Sequence, residues 1–179
     1  MGKDKEKFYL FLDIDGVLWD WPWRLSEIKR GNIKDGSLIT HFHPESVSAL
    51  NSLIAYINKQ YDCNLVISSS WRRLFSTTIS TLNKNKVALP TSVDSTPFAH
   101  FPHKRGKEIQ TYLKGKENNS NFLIIDDKHH DFDKFFSPES IIKTSIYDES
   151  LRHHHVQNWI HSRESNKIDN FSYTDDYLR

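Results

Sequence analysis

Two pairs of aspartates carry the groups in this sequence most able to do chemistry. Asp13 and Asp15 stand in Asp13-Ile14-Asp15-Gly16, and Asp126-Asp127 stand together late in the chain. Each pair follows an apolar run, Phe8 to Leu12 in the first case and Phe122 to Ile125 in the second. After a strand, residues i and i+2 lie on the same side of the chain, and Gly16 lets the backbone turn sharply behind them. One carboxylate of such a pair can attack phosphorus while the other protonates the leaving oxygen, which joins covalent to general acid–base catalysis in a single turn. Carboxylates gathered at one place repel unless a cation neutralises them. With no Cys or His partner in the set, hard oxygen donors favour magnesium.

These groups need a scaffold that brings them together. A third apolar run, Asn64 to Ile67, leads into Ser68-Ser69-Ser70. Continuous apolar runs of this length read as strands buried on both faces, as in a parallel sheet. Helical patterns separate them: Pro44 to Gln60, Trp71 to Leu82, and Gly106 to Leu113. Strand–helix alternation predicts an α/β fold, a three-layer Rossmann-like sandwich around a mostly parallel central sheet. Weaker strands are expected at Val87–Leu89 and Ile141–Thr144. The segment 19–43 reads as an irregular loop or small insertion, too short for a large cap. The expected domain spans 1–162, followed by a polar tail over 163–179. Ligands in such sheets bind beyond the carboxyl ends of the strands, where the acidic pairs and the serine cluster fall.

The ordered set resembles the haloacid dehalogenase (HAD) superfamily. Its first motif is matched by Asp13-Ile14-Asp15-Gly16-Val17-Leu18, and its second by a serine in Ser68-Ser69-Ser70. A lysine in Arg105-Gly106-Lys107-Glu108-Ile109 matches the third, and Asp126-Asp127 the fourth. The order excludes a receiver domain of two-component signalling, where the acidic pair comes first and a single Asp later. The resemblance implies that Asp13 is phosphorylated and that Asp15 acts as acid, then base. Magnesium would be held by Asp13, the Asp15 carbonyl and Asp126, with Asp127 as a direct or indirect ligand. A serine hydroxyl, Ser69 with Ser68 as rival, would donate to the phosphoryl oxygens. Lys107, with Lys104 as competitor, would neutralise them. Ser-Ser-Trp-Arg, Arg-Gly-Lys-Glu-Ile and Ile-Asp-Asp-Lys-His-His-Asp resemble the small capless members linked to nucleic-acid end repair. The phosphatase half of polynucleotide kinase-phosphatase is a more distant likeness. The implied activity is a phosphomonoester hydrolase acting on an accessible macromolecular phosphate such as a nucleic-acid end. The alternatives are a small-metabolite or nucleotide phosphatase and an inactive magnesium-binding module.

Further candidates surround this set. Gly16, Ser68, Ser70 and Arg72 are candidates to touch substrate, Arg72 or Arg73 by gripping a phosphate bidentately or else by lying on a solvated helix face. Trp19, Trp21 and Trp23 either stack on bases or pack the insertion onto the core. His41, His43, His100 and His103 can line the site mouth, but their spacing matches no closed zinc pattern. His153-His154-His155 reads as a helix start with a solvated histidine, His129 and His130 as shapers of the loop after the acidic pair, and Asp131 as its brace.

Composition bounds the rest. The chain has 179 residues, 37% hydrophobic and 13% aromatic, enough for one real core. With 24 basic against 23 acidic residues, net charge names no partner. Its one cysteine, Cys63, excludes an internal disulfide and reads as a buried thiol. No stretch is long enough to span a bilayer, and the charged start does not read as a signal peptide. A cytoplasmic protein is expected.

Overall fold

The computed structural model describes residues 5–98, 104–116 and 121–172 of the chain, with 166–172 as backbone only. Five parallel strands form the sheet: β1 (Lys7–Leu12), β2 (Asp62–Ile67), β3 (Ser92–Ser95), β4 (Phe122–Asp126) and β5 (Ile141–Lys143), in the order β3-β2-β1-β4-β5. Among the described residues five α-helices accompany them: α1 (Trp21–Lys29), α2 (Pro44–Gln60), α3 (Phe75–Lys84), α4 (Arg105–Lys114) and α5 (His153–Ser172). The apolar runs become β1, β2 and β4 because both faces of the sheet are covered. Phe8, Leu10 and Leu12 of β1 pack with Leu50, Leu53 and Ile57 of α2 and Trp159 of α5, whereas Tyr9 and Phe11 pack with Ile109 and Leu113 of α4. Each such fully buried side chain contributes roughly 1.5–3 kcal/mol.

Chain direction across the sheet locates the crevice. The chain steps outward from β1 to β2 to β3, then returns through α4 to lay β4 on the other side of β1. The strand order therefore reverses between β1 and β4, where open α/β sheets open a crevice. In register, Leu12 pairs with Ile125 on one side and Ile67 on the other. Continuing one residue places Asp13 beside Asp126 and beside Ser68, and the bonds Asp13 N to Ile125 O (3.0 Å) and Ser68 N to Leu12 O (3.0 Å) carry that register past the strand ends.

The structure departs from the sequence pattern in four places. Val87–Leu89 is not a strand: Val87 is buried in the core just beyond α3, and the edge strand is the polar, half-exposed β3 that follows Pro90. The 3-10 turn Ser70–Leu74 occupies the first part of the expected Trp71–Leu82 helix. The segment 19–43 contains a regular helix, α1, started by Asp20 as its N-cap and by Pro22 in its first turn. Helix α5 runs unbroken through the expected boundary at 163, and residues 173–179 lie outside the described residues. Cys63 is buried as expected, and burial pushes its thiol up to about 12.

A buried polar knot fastens the start of α1 to the body. Asp20 Oδ1 accepts from Trp23 N (2.8 Å), while its Oδ2 accepts from Ser150 N (3.0 Å), Ser150 Oγ and Arg152 Nη2 (2.9 Å). Arg152 Nη1 reaches on to Ser46 Oγ of α2 (2.8 Å). Burial opposes the charge of Asp20, but the bonds from Ser150, Trp23 and Arg152 outweigh it and hold the carboxyl below its usual range. A depressed carboxyl contributes stability above its unfolded value of about 3.9 and loses it as pH falls through the folded value. Asp20→Asn is therefore expected to cost about 1–3 kcal/mol in urea unfolding at pH 7, because Arg152 Nη2 and Ser150 lose their charged acceptor while Glu45 and Glu149 still lie 3.6 and 3.8 Å from Arg152 Nε. It should also lose less on acidification to pH 3 than the wild type. Equal unfolding midpoints at pH 7 would contradict this role.

Candidate active site

The tips of β1 and β4 bring Asp13, Asp126 and Asp127 together, each offering an oxygen within 4.8 Å of the others. Asp13 and Asp126 are buried. Burial, and next the Asp126 charge, push the Asp13 carboxyl up to about 6. Burial also works against Asp126, but His130, Arg105 and the Lys128 amide (2.9 Å to Oδ1) hold its carboxyl below the usual range. Asp127 is pushed upward by burial and by Asp126, and among the described residues its buried Oδ1 has no hydrogen-bond partner. A crowded set of hard oxygens, one of them unpartnered, fits a small divalent cation such as magnesium.

Arg105 brings a positive charge directly onto the acidic cluster, and Lys143 acts on the same three carboxylates from β5. Arg105 Nη1 lies 2.9 Å from Asp13 Oδ2 and 2.7 Å from Asp126 Oδ2, so one guanidinium bridges the two strands. Lys107, favoured by sequence, is exposed on α4, and among the described residues no ion pair reaches its ammonium. Lys104 precedes α4 and is also exposed. The reason is helical phase. Arg105 opens the helix where it points at the sheet edge, and Glu108 and Ile109 continue its buried face, which leaves Lys107 on the opposite one. A tight approach fixes the start of α4: Gly106 N donates to Asp131 Oδ1 (2.7 Å), and a Cβ on Gly106 would meet the Asp131 backbone oxygen at 2.9 Å. Asp131, which the sequence suggested as a brace of its own loop, thus bonds the start of α4. The sequence signal for Arg105 was its place between the two competing lysines, beside the glycine that lets the helix dock.

The serine run divides by depth. The Ser69 hydroxyl hydrogen-bonds Asp13 and also accepts from Trp71 N at 3.3 Å. Ser68 is next to Asp13 in register, and among the described residues its buried Oγ has no hydrogen-bond partner. Ser70 is exposed and opens the 3-10 turn. Arg72, expected at a substrate phosphate, is buried and already engaged. Its Nη1 donates to Ser68 O (2.6 Å) and Ser69 O (2.8 Å), its Nη2 to Glu108 Oε2 of α4 (2.6 Å), and its guanidinium lies over the Phe98 ring. It ties the serine loop to the helix that carries Arg105. Arg73 is exposed, with its guanidinium 5.3 Å from the centre of the same ring.

Asp15 sits apart from the acidic cluster, in an aromatic setting. Trp19 Nε1 donates to its Oδ1 (3.0 Å), and Trp71 Nε1 is 3.1 Å from each of its oxygens. Trp19 is buried, Trp21 is 39% exposed and edge-on to it, and Trp23 packs on His43. His43 caps α2 by accepting from Glu45 N (3.1 Å), and His41 is exposed. His100 and His103 lie outside the described residues. On the other flank, His130 Nε2 is 3.4 Å from Asp126 Oδ1, and the half-buried Lys143 of β5 pairs in register with Asp126. Glu149, His154 and His155 form a second potential donor group at the surface. There His155 Nδ1 accepts from Arg152 N (3.1 Å), so the neutral ring carries its proton on Nε2 and presents no lone pair toward Glu149.

Against this geometry, residues 9–156 match the family profile described as the HAD domain in Swiss Army Knife RNA repair proteins. The chain belongs to that family. A search among curated proteins finds no match for it. The match takes in both strands that carry the acidic pairs, the serine loop and α4.

Gly16 shows how closely that scaffold is built. Its φ is +72°, a region that favours glycine, and a Cβ there would stand 2.5 Å from Asp127 Cβ. Gly16→Ala is expected to displace Asp127, lower thermal stability, and abolish the stabilisation that added Mg2+ gives in a melt. Asp127→Asn should behave differently. A carboxyl pushed upward by its surroundings destabilises the fold at pH above its folded value, and this relaxes as pH falls and it protonates. Removing its charge should therefore raise the metal-free Tm at pH 7.5, by about 2–4 °C for each kcal/mol recovered, while weakening the Mg2+ response. An unchanged Mg2+ response in both variants would show that Asp127 does not face the cation.

Proposed function

We propose that this HAD domain is a magnesium-dependent phosphomonoester hydrolase that acts through an aspartyl-phosphate on Asp13, with the phosphorylated end of a nucleic acid, RNA above all, as substrate. The observation that carries the reading is the meeting of Asp13, Asp126 and Asp127 at the strand-order reversal, bridged by Arg105. The description of the matched family supports RNA as the substrate class.

The chain's own residues account for the steps. Ile14 N donates to Asp13 Oδ1 (2.9 Å) and holds the carboxylate in one orientation. The Asp13 carboxylate attacks phosphorus. The bond from phosphorus to the leaving oxygen breaks, its electron pair goes to that oxygen, and the Asp15 carboxyl supplies the proton. Water then attacks the acyl phosphate and gives a proton to the Asp15 carboxylate. The bond from phosphorus to Asp13 breaks, releasing inorganic phosphate and restoring Asp13. Arg105 and a hydroxyl from Ser69 or Ser68 stabilise the charge that builds on the phosphoryl oxygens. Asp13, Asp126 and Asp127, with the Asp15 carbonyl, would hold magnesium, which supplies further neutralisation of that charge.

A panel of phosphoesters tests the proposal, with 3′- and 5′-phosphorylated oligoribonucleotides set against the corresponding nucleoside monophosphates. Preference for oligonucleotide ends in kcat/KM is expected. Preference for the mononucleotides would favour a metabolite phosphatase, and Mg2+ binding without turnover of any ester an inactive module. Asp13→Asn should abolish turnover. Arg105→Met should lower kcat about 10²–10³-fold, as loss of one preorganised donor does, whereas Lys107→Ala should stay within about threefold of wild type, as expected of a charge outside the site. The opposite ranking of these two variants would return the third motif to the lysine.

A further inference from the structure

The structure assigns Trp19 and Trp71 as positioning residues for the proton-transfer carboxyl of Asp15, needed for substrates whose leaving group is an alkoxide such as a ribose hydroxyl. The inference rests on the hydrolase reading above. Among the described residues, these two indoles are the only side chains that hydrogen-bond Asp15. They come from different segments, Trp19 just beyond the turn after β1 and Trp71 from the 3-10 turn after β2. Neither indole is free to turn away. The Trp71 backbone amide donates to Ser69 Oγ (3.3 Å), its carbonyl accepts from Thr78 Oγ1 (2.8 Å), and its ring packs on Phe42. Trp19 is buried, edge-on to Trp21, with its backbone bridged to Asp15.

The chemistry of the donors matters. An indole N–H donates only and carries no charge. It can hold a carboxyl in place in either protonation state, whereas a lysine or arginine in the same position would favour the anion alone and oppose its return to the acid. The three contacts are uneven: Oδ1 accepts from both indoles, and Oδ2 only shares Trp71. Oδ2 thus keeps the freer lone pairs and is the oxygen that carries the proton. In the first step the phosphorus–oxygen bond breaks, the electron pair passes to the leaving oxygen, and the proton moves from Asp15 Oδ2 to that oxygen. An alkoxide cannot leave without it, while a nitrophenolate can.

The test compares kcat/KM for benzyl phosphate, an alkyl ester, with that for p-nitrophenyl phosphate in wild type, Trp71→Phe, Trp19→Phe and Asp15→Asn. This ratio covers the steps up to phosphorylation of Asp13 and excludes the later hydrolysis. Each Trp→Phe change keeps a ring and removes the donor. The expected result is a loss of about tenfold or more on benzyl phosphate, as a misplaced catalytic group causes, and at most about threefold on p-nitrophenyl phosphate. In the Asp15→Asn background either Trp→Phe change should add no further loss on benzyl phosphate. Equal losses on both esters, or losses additive with Asp15→Asn, would overturn the clamp. Trp19 and Trp71 lie on separate segments, so if one variant fails to fold the other still decides. Wild-type protein inert toward both esters would instead overturn the hydrolase reading, and Asp15→Asn without leaving-group dependence would remove Asp15 as the acid.

Discussion

Like charges crowded at the ends of two adjacent buried strands are the constraint around which this domain is arranged. Register places Asp13 beside Asp126, and burial denies both the water that would screen them. The opposing charge must therefore be delivered to the spot by the chain or by a bound cation. Arg105 delivers it from the first turn of α4. Gly106 and Asp131 fix where that turn docks, and the buried pair of Arg72 with Glu108 locks the serine loop to the same helix. Replacing such a pair with apolar residues can leave stability unchanged. Its value here is geometric, because it holds the hydroxyls and Arg105 in one frame around Asp13.

The sheet was legible because its three central strands are buried on both faces and so read as continuous apolar runs. Their polar ends mark the edge of the sheet where Asp13, Asp126 and Asp127 meet. Edge elements carried weaker signals. Strand β3, Ser-Val-Asp-Ser, has only one ladder to make and little to bury, and the apolar Val87 nearby belongs to the core instead. Helix α1 has little amphipathic pattern because Asp20, Ser150 and Arg152 anchor it through buried polar bonds from distant parts of the chain. No local periodicity can report those.

The side chains followed the same division. Asp13, Asp126 and Asp127 were readable from type and position, since a carboxylate at the end of an apolar strand has few structural uses. The cation was harder. Lys104, Arg105 and Lys107 differ by rotation about one helix, and which of them faces the sheet depends on where Gly106 seats that helix against Asp131. Arg72 looked available for substrate because its partners, Glu108 and two serine carbonyls, come from a distant helix and from backbone atoms that carry no sequence signal. For Trp19, Trp21 and Trp23, the packing reading fits Trp19 and Trp23, and Trp21 remains partly exposed. What the pattern could not convey was that two indoles from different segments converge on Asp15.

Phosphorylation of Asp13 itself is the step on which the proposed hydrolysis stands or falls, and the acyl phosphate can be trapped. The enzyme would be mixed with Mg2+ and a phosphoester, quenched in acid within one turnover, and its acyl phosphate reduced with borohydride before peptide mapping. One modified peptide is expected, with Asp13 converted to homoserine, and none from Asp13→Asn. Modification at another residue, or rapid turnover with no trapped acyl phosphate, would contradict phosphorylation at Asp13.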